Sequence, residues 1–244
     1  MHFFLKGINL IVTIIFIISF ATAGNLTGTV SYSGKPPKKK SLKMDADPVC
    51  SSAHRNKVYT ESFIMNDDGQ LANVLVYLKD VSYNGGIPKE PVVLDQKGCL
   101  YSPHVFGLIK NQELLIKNSD PTMHNIHSMA KENKQFNFAM PKVVKEKKVS
   151  FDKTEDPFYL KCDVHPWMKA WATVLDHPYF AVTDTNGNFE ITGIPSGNYE
   201  VVFWHEKSKG MGGVGEYNVT IEKDSGTVAV STLDHTFIRP NKKK

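Results

Sequence analysis

The chain has 244 residues, of which 41% are hydrophobic and 22% are charged, and its formal net charge is +4. This composition excludes a disordered or low-complexity chain and predicts a globular protein. A general nucleic-acid-binding protein would carry a more strongly basic surface. We therefore expect a folded protein with no nucleic-acid partner.

The N-terminus has the pattern of a secretory signal peptide, which we predict over residues 1–23. Lys6 precedes an apolar run from Ile8 to Ala21, and small residues follow at Thr22 and Ala23. The run is shorter than the ~20 residues that a helix needs to cross a bilayer. We therefore expect export to the periplasm and no membrane insertion.

Short segments rich in Val, Ile, Tyr and Phe follow the leader and are separated by turn residues. Such segments, without helical periodicity, are typical of β-strands. The predicted fold class is therefore all-β, built from sandwiches or barrels. In addition, Asn186-Gly187 predicts a hairpin turn. The predicted strands are 26–32, 73–78, 91–94, 113–117, 158–161, 170–175, 188–192, 199–204, 217–221 and 227–230.

One loop between two predicted strands carries three side chains that can bind a metal. Cys162, His165 and Met168 lie in a C-x2-H-x2-M pattern on this loop. A further histidine is available upstream, at His124 or His127. One cysteine, two histidines and a weak axial methionine form the trigonal blue-copper site, which favours copper over hard cations. The pattern therefore predicts a copper site.

Two other kinds of site use some of the same residues. A structural zinc site is typically built from Cys and His without Met. A Cys/His hydrolase needs a base that is distant in sequence and a third group that orients it. Single Cys and Met residues also often fill a hydrophobic core. Neither metal-free catalysis nor zinc explains Met168, so copper remains the preferred interpretation.

Residues 121–127 and 158–168 resemble the ligand segments of the cupredoxins, and most closely those of amicyanin with its short ligand loop. The resemblance covers roughly residues 89–177 and implies a Greek-key cupredoxin sandwich. It implies one type 1 copper ion. The ligands that it implies are His124, Cys162, His165 and Met168.

The same resemblance assigns roles to neighbouring residues. Asn125 would hydrogen-bond the ligand-loop backbone near the thiolate, and His127 would not be a ligand. Pro166 stands where a binuclear copper centre would need a second cysteine, so a mononuclear site is implied. Cupredoxins usually have a Gly-Asp turn where this chain has Asn111-Gln112, but Asn also tolerates positive φ.

The segments that flank the copper region resemble a second family, the carboxypeptidase regulatory-like (transthyretin-related) sandwich. Residues 183–189 match T-D-x-x-G-x-F, and residues 195–199 match P-x-G-x-Y. Because its parts lie on both sides of the copper region, we predict an insertion of one domain into the other. The predicted domains are 24–88 with 178–238 for a discontinuous prealbumin-like sandwich, 89–177 for the copper domain and 239–244 for a basic tail.

Two cysteines remain outside the copper motif in this arrangement. Cys50 falls in the first half of the host sandwich and Cys99 at the start of the insert, and neither is in a ligand-like context. In the oxidising periplasm a disulfide between them would link host and insert. Two free thiols are the alternative.

The resemblance implies a periplasmic electron-transfer protein, not an enzyme, that cycles one copper ion between Cu(II) and Cu(I). The alternatives are a copper carrier without redox turnover and a carbohydrate-binding or adhesion module. His165 is expected to reach the surface beside Pro166 and Trp167, which would form a small apolar docking patch. Clusters of lysine predict a transient, acidic redox partner.

Three further histidines lie outside the copper motif, at His104, His177 and His205. We interpret them as structural residues whose ring nitrogens are satisfied by hydrogen bonds. A second metal site that bridges the two domains is the alternative.

Overall fold

The computed structural model describes residues 23–210, 214–221, 229–232 and 234–238. The predicted signal peptide, apart from Ala23, and the predicted basic tail at 239–244 lie outside these residues. Within the described ranges, no helix has the length and apolar character that crossing a membrane requires.

The regular secondary structure of the described residues is almost entirely β-strand, which confirms the predicted all-β fold class. Within them, the helical segments are α1 (Pro48–Ser52) and one 3₁₀ turn (Ser208–Gly210). The strands are, in chain order, β1 (Ala23–Ser33), β2 (Leu75–Lys79), β3 (Val92–Lys97), β4 (Leu100–Ser102), β5 (Val105–Ile109), β6 (Leu114–Asn118), β7 (His124–Ser128), β8 (Asn137–Met140), β9 (Glu146–Val149), β10 (Glu155–Lys161), β11 (Lys169–Leu175), β12 (Phe180–Val182), β13 (Asn188–Pro195), β14 (Gly197–Trp204), β15 (Gly215–Ile221), β16 (Ala229–Thr232) and β17 (His235–Ile238).

These strands form two pairs of sheets. The strands from the middle of the chain make one sheet in the order β4-β3-β6-β9 and a second in the order β5-β11-β10-β7-β8. The strands from the two ends of the chain make the sheets β13-β1-β16 and β12-β2-β14-β15, with β17 also paired to β1. Each pair therefore draws on a different part of the sequence.

Two separate hydrophobic cores accompany the two pairs of sheets. One is built mainly from residues 94–174, and the other from residues 26–81 and 179–237. Met44 and Cys50, which precede the middle strands by many residues, nevertheless pack in the first core. The assignment of the two parts to an inserted cupredoxin domain and a prealbumin-like host, with boundaries at 88/89 and 177/178, remains a proposal.

Alternation of burial along the strands explains why many could be predicted. In β6, Leu114 and Ile116 point into the core while Leu115 and Lys117 are half-exposed, as expected for side chains on opposite faces. The turn before β6 has the positive φ expected from the sequence, because Asn111 has a φ of 66°. Gln112 holds this turn by accepting a hydrogen bond from the Ile109 N–H (3.0 Å).

The predicted hairpin at Asn186-Gly187 is wrong. A turn is present, but it joins β12, which pairs with β2, to β13, which pairs with β1. Gly187 has a φ of 70°, and a Cβ at this position would lie 2.4 Å from the carbonyl oxygen of Val30. The glycine is therefore required by positive φ and by close approach to β1, not by a two-strand hairpin.

Strands β7, β10 and β11 bring the predicted ligand segments together. β10 is antiparallel to both neighbours, with Lys161 opposite His127 in β7 and opposite Lys169 in β11. Because neighbouring strands run in opposite directions, the start of β7 and the end of β10 lie at the same edge of the sheet. His124 begins β7, and the loop 162–168 leaves from the end of β10.

Candidate metal centre

Three of the predicted ligands converge at this edge of the sheet. His124, Cys162 and His165 are buried, and their ligand atoms all lie within 4.8 Å of one another. The Nδ1 atoms of the two histidines are 3.0 Å apart, and Nδ1 of His165 is 3.9 Å from Sγ of Cys162. Two imidazole nitrogens and a thiol that face one point fit a soft or borderline transition metal.

Met168, the fourth predicted ligand, closes the loop. Its N–H donates to the carbonyl of His165 (2.9 Å), and its own carbonyl accepts from the N–H of Cys162 (3.2 Å). The Met168 side chain is buried in the same core as Cys162. These contacts fix the loop backbone between the thiol and the thioether, and the role of Met168 as axial ligand remains a prediction.

The surroundings of Cys162 favour its thiolate form. Burial alone would raise the pKa of the thiol, but hydrogen bonds from His124 and from backbone N–H groups lower it below its ordinary value. Two of these N–H groups belong to His165 (3.3 Å) and Asn125 (3.4 Å). Because the thiolate is the form that binds a metal, this environment prepares Cys162 as a ligand.

Asn125 makes the contact that the family resemblance implies. Its Oδ1 accepts a hydrogen bond from the N–H of Asp163 (3.0 Å), one residue after Cys162. Its Nδ2 donates to Oδ1 of Asn137 (2.6 Å). The side chain thus ties the ligand loop to β7 and β8, which holds the thiol in place.

His127 lies outside the cluster. Its Nδ1 is 2.9 Å from Oδ2 of Asp163, and its side chain is half-buried. Since successive strand residues alternate between the two faces of a sheet, His124 and His127 cannot both point to one site from β7. The structure places His124, not His127, beside Cys162 and His165.

Two carboxylates that the sequence did not indicate contact the outer nitrogens of the histidines. Nε2 of His124 is 2.8 Å from Oδ2 of Asp120, and Nε2 of His165 is 3.0 Å from Oδ2 of Asp47. Burial opposes ionisation of both acids, but the hydrogen bonds that they accept lower the pKa of each below its ordinary value. Asp120 precedes His124 by four residues, a spacing that could have been noticed, whereas Asp47 is too distant in sequence to be found by a motif.

The expectation that His165 reaches the surface is wrong, because the residue is only 2% exposed. Asp47 and Cys50, at the start of α1, cover its ring, with Sγ of Cys50 3.5 Å from Nε2. Pro166 is exposed, but Trp167 is half-buried and its indole N–H donates to the carbonyl of Cys99 (3.0 Å).

The predicted disulfide is present between Cys50 and Cys99, with an S–S distance of 2.05 Å. Each half-cystine lies beside one of the histidines of the centre, in the groups Asp47, Cys50, His165 and Cys99, Asp120, His124. Because both sulfurs are used in the disulfide, neither is available as a thiolate ligand. The buried free thiol of the described residues is Cys162.

His104, His177 and His205 take part in hydrogen bonds, and none of them joins a metal-binding group within the described ranges. His104 lies between the carbonyl of Lys169 (3.1 Å) and the carboxylate of Glu206 (3.3 Å). His177 accepts from the N–H of Tyr179 (3.2 Å), and His205 accepts from the N–H of Lys207 (3.1 Å) through Nδ1. These contacts support the structural interpretation of His104 and His177. The buried Nε2 of His205 has no hydrogen-bond partner in the described part of the chain, so the expectation that both ring nitrogens of His205 are satisfied is wrong.

Comparison with solved structures finds similarity to copper proteins over less than half of this chain. A copper-containing nitrite reductase from Thermus scotoductus shares 16% identity at a TM-score of 0.34, over 40% of this chain and 25% of that chain. A Cu(I) form of an amicyanin variant shares 15% identity at a TM-score of 0.32, over 41% of this chain and 98% of that chain. A purple cupredoxin from Nitrosopumilus maritimus shares 21% identity at a TM-score of 0.30, over 34% and 99%.

The chain therefore spans only a quarter of the nitrite reductase. No family model matches the sequence, and no curated protein matches it.

Proposed function

We propose that this protein is a periplasmic type 1 copper protein that transfers single electrons through one Cu(II)/Cu(I) ion. The observation that carries the proposal is the convergence of His124, His165 and the buried thiol of Cys162, whose ligand atoms all lie within 4.8 Å of one another. The C-x2-H-x2-M loop supports it, because Met168 supplies the weak axial donor of such a site. The predicted signal peptide supports the periplasmic location.

The chain's own residues would hold the ion and control its surroundings. His124, Cys162, His165 and Met168 would hold it. When bound, copper supplies a one-electron couple, which none of these side chains provides alone. Backbone N–H groups of Asn125 and His165 orient the sulfur of Cys162, and burial of the ligands keeps bulk water away.

Rigid positioning is what makes this arrangement suitable for electron transfer. His124 is fixed in β7, and Cys162 and Met168 are joined by a backbone hydrogen bond at the base of the loop. A ligand set held by paired strands changes little when the charge on the metal changes. The proposed four ligands also leave no position for a substrate, so we propose a carrier of electrons and not an enzyme.

The burial of His165 argues against the alternative of a copper carrier. A protein that hands its metal to another would present a ligand at its surface, whereas His165 is 2% exposed and covered by Asp47 and Cys50. An electron needs no such opening. It can leave through the ring of Trp167, whose centroid is 5.1 Å from that of His165.

Docking is proposed at Pro166 and Trp167, with a transient acidic redox protein as the partner. Pro166 is exposed and Trp167 is half-exposed beside it. The lysine clusters at 35–40 and 142–153 are largely exposed and would attract a negatively charged partner. Salt screens such attraction over about 8–10 Å.

The partner proposal is tested with a small anionic oxidant in place of the unknown protein. Oxidation of the cuprous protein by hexacyanoferrate should slow as ionic strength rises, whereas oxidation by a cationic cobalt(III) complex should not. Trp167→Ala should slow oxidation without loss of copper, and Trp204→Ala, a half-buried tryptophan outside the ligand loop, is the matched control. Equal rates at low and high salt would contradict the proposed docking face.

The proposed function itself is tested by redox cycling. The copper-loaded protein should accept one electron per copper from a mild reductant and return it to an oxidant, without release of copper to a chelator. Reduction that releases the ion would support a carrier instead. A protein that takes up copper but cannot be reduced and reoxidised would contradict electron transfer.

A further inference from the structure

Both histidines of the centre contact a carboxylate through Nε2, the ring nitrogen that faces away from the site. Nε2 of His124 donates to Oδ2 of Asp120 (2.8 Å), and Nε2 of His165 donates to Oδ2 of Asp47 (3.0 Å). The Nδ1 atoms of the same rings face each other across 3.0 Å. Each ring thus has its outer nitrogen on an acid and its inner nitrogen on the site.

Asp47 is oriented by the helix that it begins. Its Oδ1 accepts the N–H groups of Val49 (2.8 Å) and Cys50 (3.3 Å), as an N-cap residue does. Its Oδ2 contacts His165 and also accepts from the hydroxyl of Thr122 (3.2 Å). Both oxygens therefore accept hydrogen bonds, and rotation of the carboxylate away from His165 would break the hydrogen bonds of the N-cap.

Asp120 is oriented by backbone N–H groups. Its Oδ1 accepts the N–H of Gly98 (2.7 Å), and its Oδ2 accepts the N–H of Cys99 (2.7 Å) together with Nε2 of His124. The carboxylate is buried along with its histidine. It is therefore a fixed negative charge behind the ring of His124.

The disulfide connects these two supports. Cys50 lies in α1 and donates its N–H to Asp47, and Cys99 donates its N–H to Asp120. Because Cys50 and Cys99 are bonded to each other, the two carboxylates are carried by one cross-linked unit.

We propose that Asp47 and Asp120 are positioning residues of the copper centre, which aim the Nδ1 atoms of His165 and His124 at the metal and favour the cupric state. This inference rests on the proposed copper function. A carboxylate on the outer N–H of a histidine ligand fixes the ring and makes it a stronger donor. Negative charge near the site stabilises Cu(II) more than Cu(I), because the attraction grows with the charge on the ion.

A purely structural role for Asp47 makes a different prediction. As the N-cap of α1, Asp47 would affect only the stability of the fold. Asn is an equally good N-cap residue, so Asp47→Asn keeps the cap through its oxygen, while an uncharged NH2 group replaces the charged acceptor that faces His165. The substitution therefore separates an effect on the centre from an effect on folding.

The test is the reduction potential of the copper-loaded Asp47→Asn variant. We expect the variant to remain blue. Its preference for Cu(II) over Cu(I) should fall about tenfold, which corresponds to a rise in reduction potential of about 59 mV for one electron. Asp45→Asn is the matched control. Asp45 is exposed, and its substitution makes the same change in charge two residues away from Asp47. The control should shift the potential by less than a third as much.

Equal potentials for wild type, Asp47→Asn and Asp45→Asn would overturn the inference and leave the copper function intact. Nitrogen NMR of the metal-free protein gives a second readout that needs no copper. The proton of neutral His165 should lie on Nε2, facing Asp47. A proton on Nδ1 instead would show that Asp47 does not fix the tautomer of the His165 ring. Failure of the wild-type protein to form a coloured copper complex is a different outcome, and it would contradict the proposed function itself.

Discussion

The carboxylate of Asp47 lies 3.0 Å from Nε2 of His165, although the two residues are 118 positions apart in the chain. This contact covers a histidine that the ligand-loop motif alone would leave at the surface. It also joins the N-terminal segment to the core of the middle strands, where Met44 and Cys50 are buried. The centre is therefore completed by a part of the chain that carries none of its proposed ligands.

The choice of the first histidine ligand is tested by two alanine variants. His124→Ala should abolish the visible band of the copper-loaded protein, because it removes a nitrogen from the cluster with Cys162 and His165. His127→Ala should keep the band, because the half-buried His127 contacts Asp163 and lies outside the cluster. Absorption spectra of the two variants after addition of one equivalent of copper decide between them. Loss of the band in His127→Ala alone would reverse the assignment.

The axial role of Met168 predicts a change in potential without a loss of metal. Met168→Leu removes the thioether but retains a buried apolar side chain of similar size. We expect copper to remain bound and the reduction potential to rise, because a weak axial donor helps the cupric form. Voltammetry measures the shift. Met140→Leu, which replaces a buried methionine on β8, is the control and should leave the potential much closer to that of wild type.

The disulfide should contribute strongly to stability. Cys50 and Cys99 are separated by 49 positions, and closure of a loop of this length contributes roughly 4 kcal/mol in the chain-entropy model. Unfolding of the metal-free protein by urea should show this loss in the variant with both residues changed to Ala. Cys162→Ala, which leaves the cross-link intact, is the control. A loss below about 1 kcal/mol would show that the cross-link constrains the unfolded chain far less than this model assumes.

Buried His205 should make stability depend on pH. Burial lowers its pKa to about 4, whereas the histidine of an unfolded chain titrates near 6.5. The unfolded chain therefore binds more protons between these values, so stability is full above pH 6.5 and falls as the pH drops towards 4, by up to about 3 kcal/mol. His205→Asn should reduce this slope, because Asn can still accept the Lys207 N–H but does not titrate. Urea unfolding at several pH values measures it, and parallel slopes for the two proteins would contradict the assignment.

Local patterns were enough to predict the parts of the site that lie on one loop. Cys162, His165 and Met168 are close in sequence, so their spacing already implies proximity. The all-β class followed from runs such as Leu114–Asn118, in which burial alternates. Strand β9 was missed because three of its four residues, Glu146, Lys147 and Lys148, are charged and exposed, so neither the apolar alternation nor the composition of a half-buried strand is present.

Contacts over long sequence separations could not be predicted in the same way. The pairing of Asp47 with His165 depends on how the N-terminal segment packs on the middle sheets, which no periodicity records. The sequence D-P-V-C does indicate a helix start, since Asp is a good N-cap and Pro is common at the first helical position. It does not indicate that the second oxygen of the cap faces a metal centre. The turn at Gly187 shows the same limit, because its glycine is explained by the approach of β1.

The blue-copper centre is tested most directly by the visible and electron paramagnetic resonance spectra of the protein titrated with Cu(II). We expect an intense thiolate-to-copper band that saturates at one copper per chain, with the resonance of a single mononuclear type 1 site. Cys162→Ser should remove the band, because a hydroxyl cannot replace the thiolate. A colourless wild-type complex, or a band that persists in Cys162→Ser, would show that His124, Cys162 and His165 do not form a blue-copper centre.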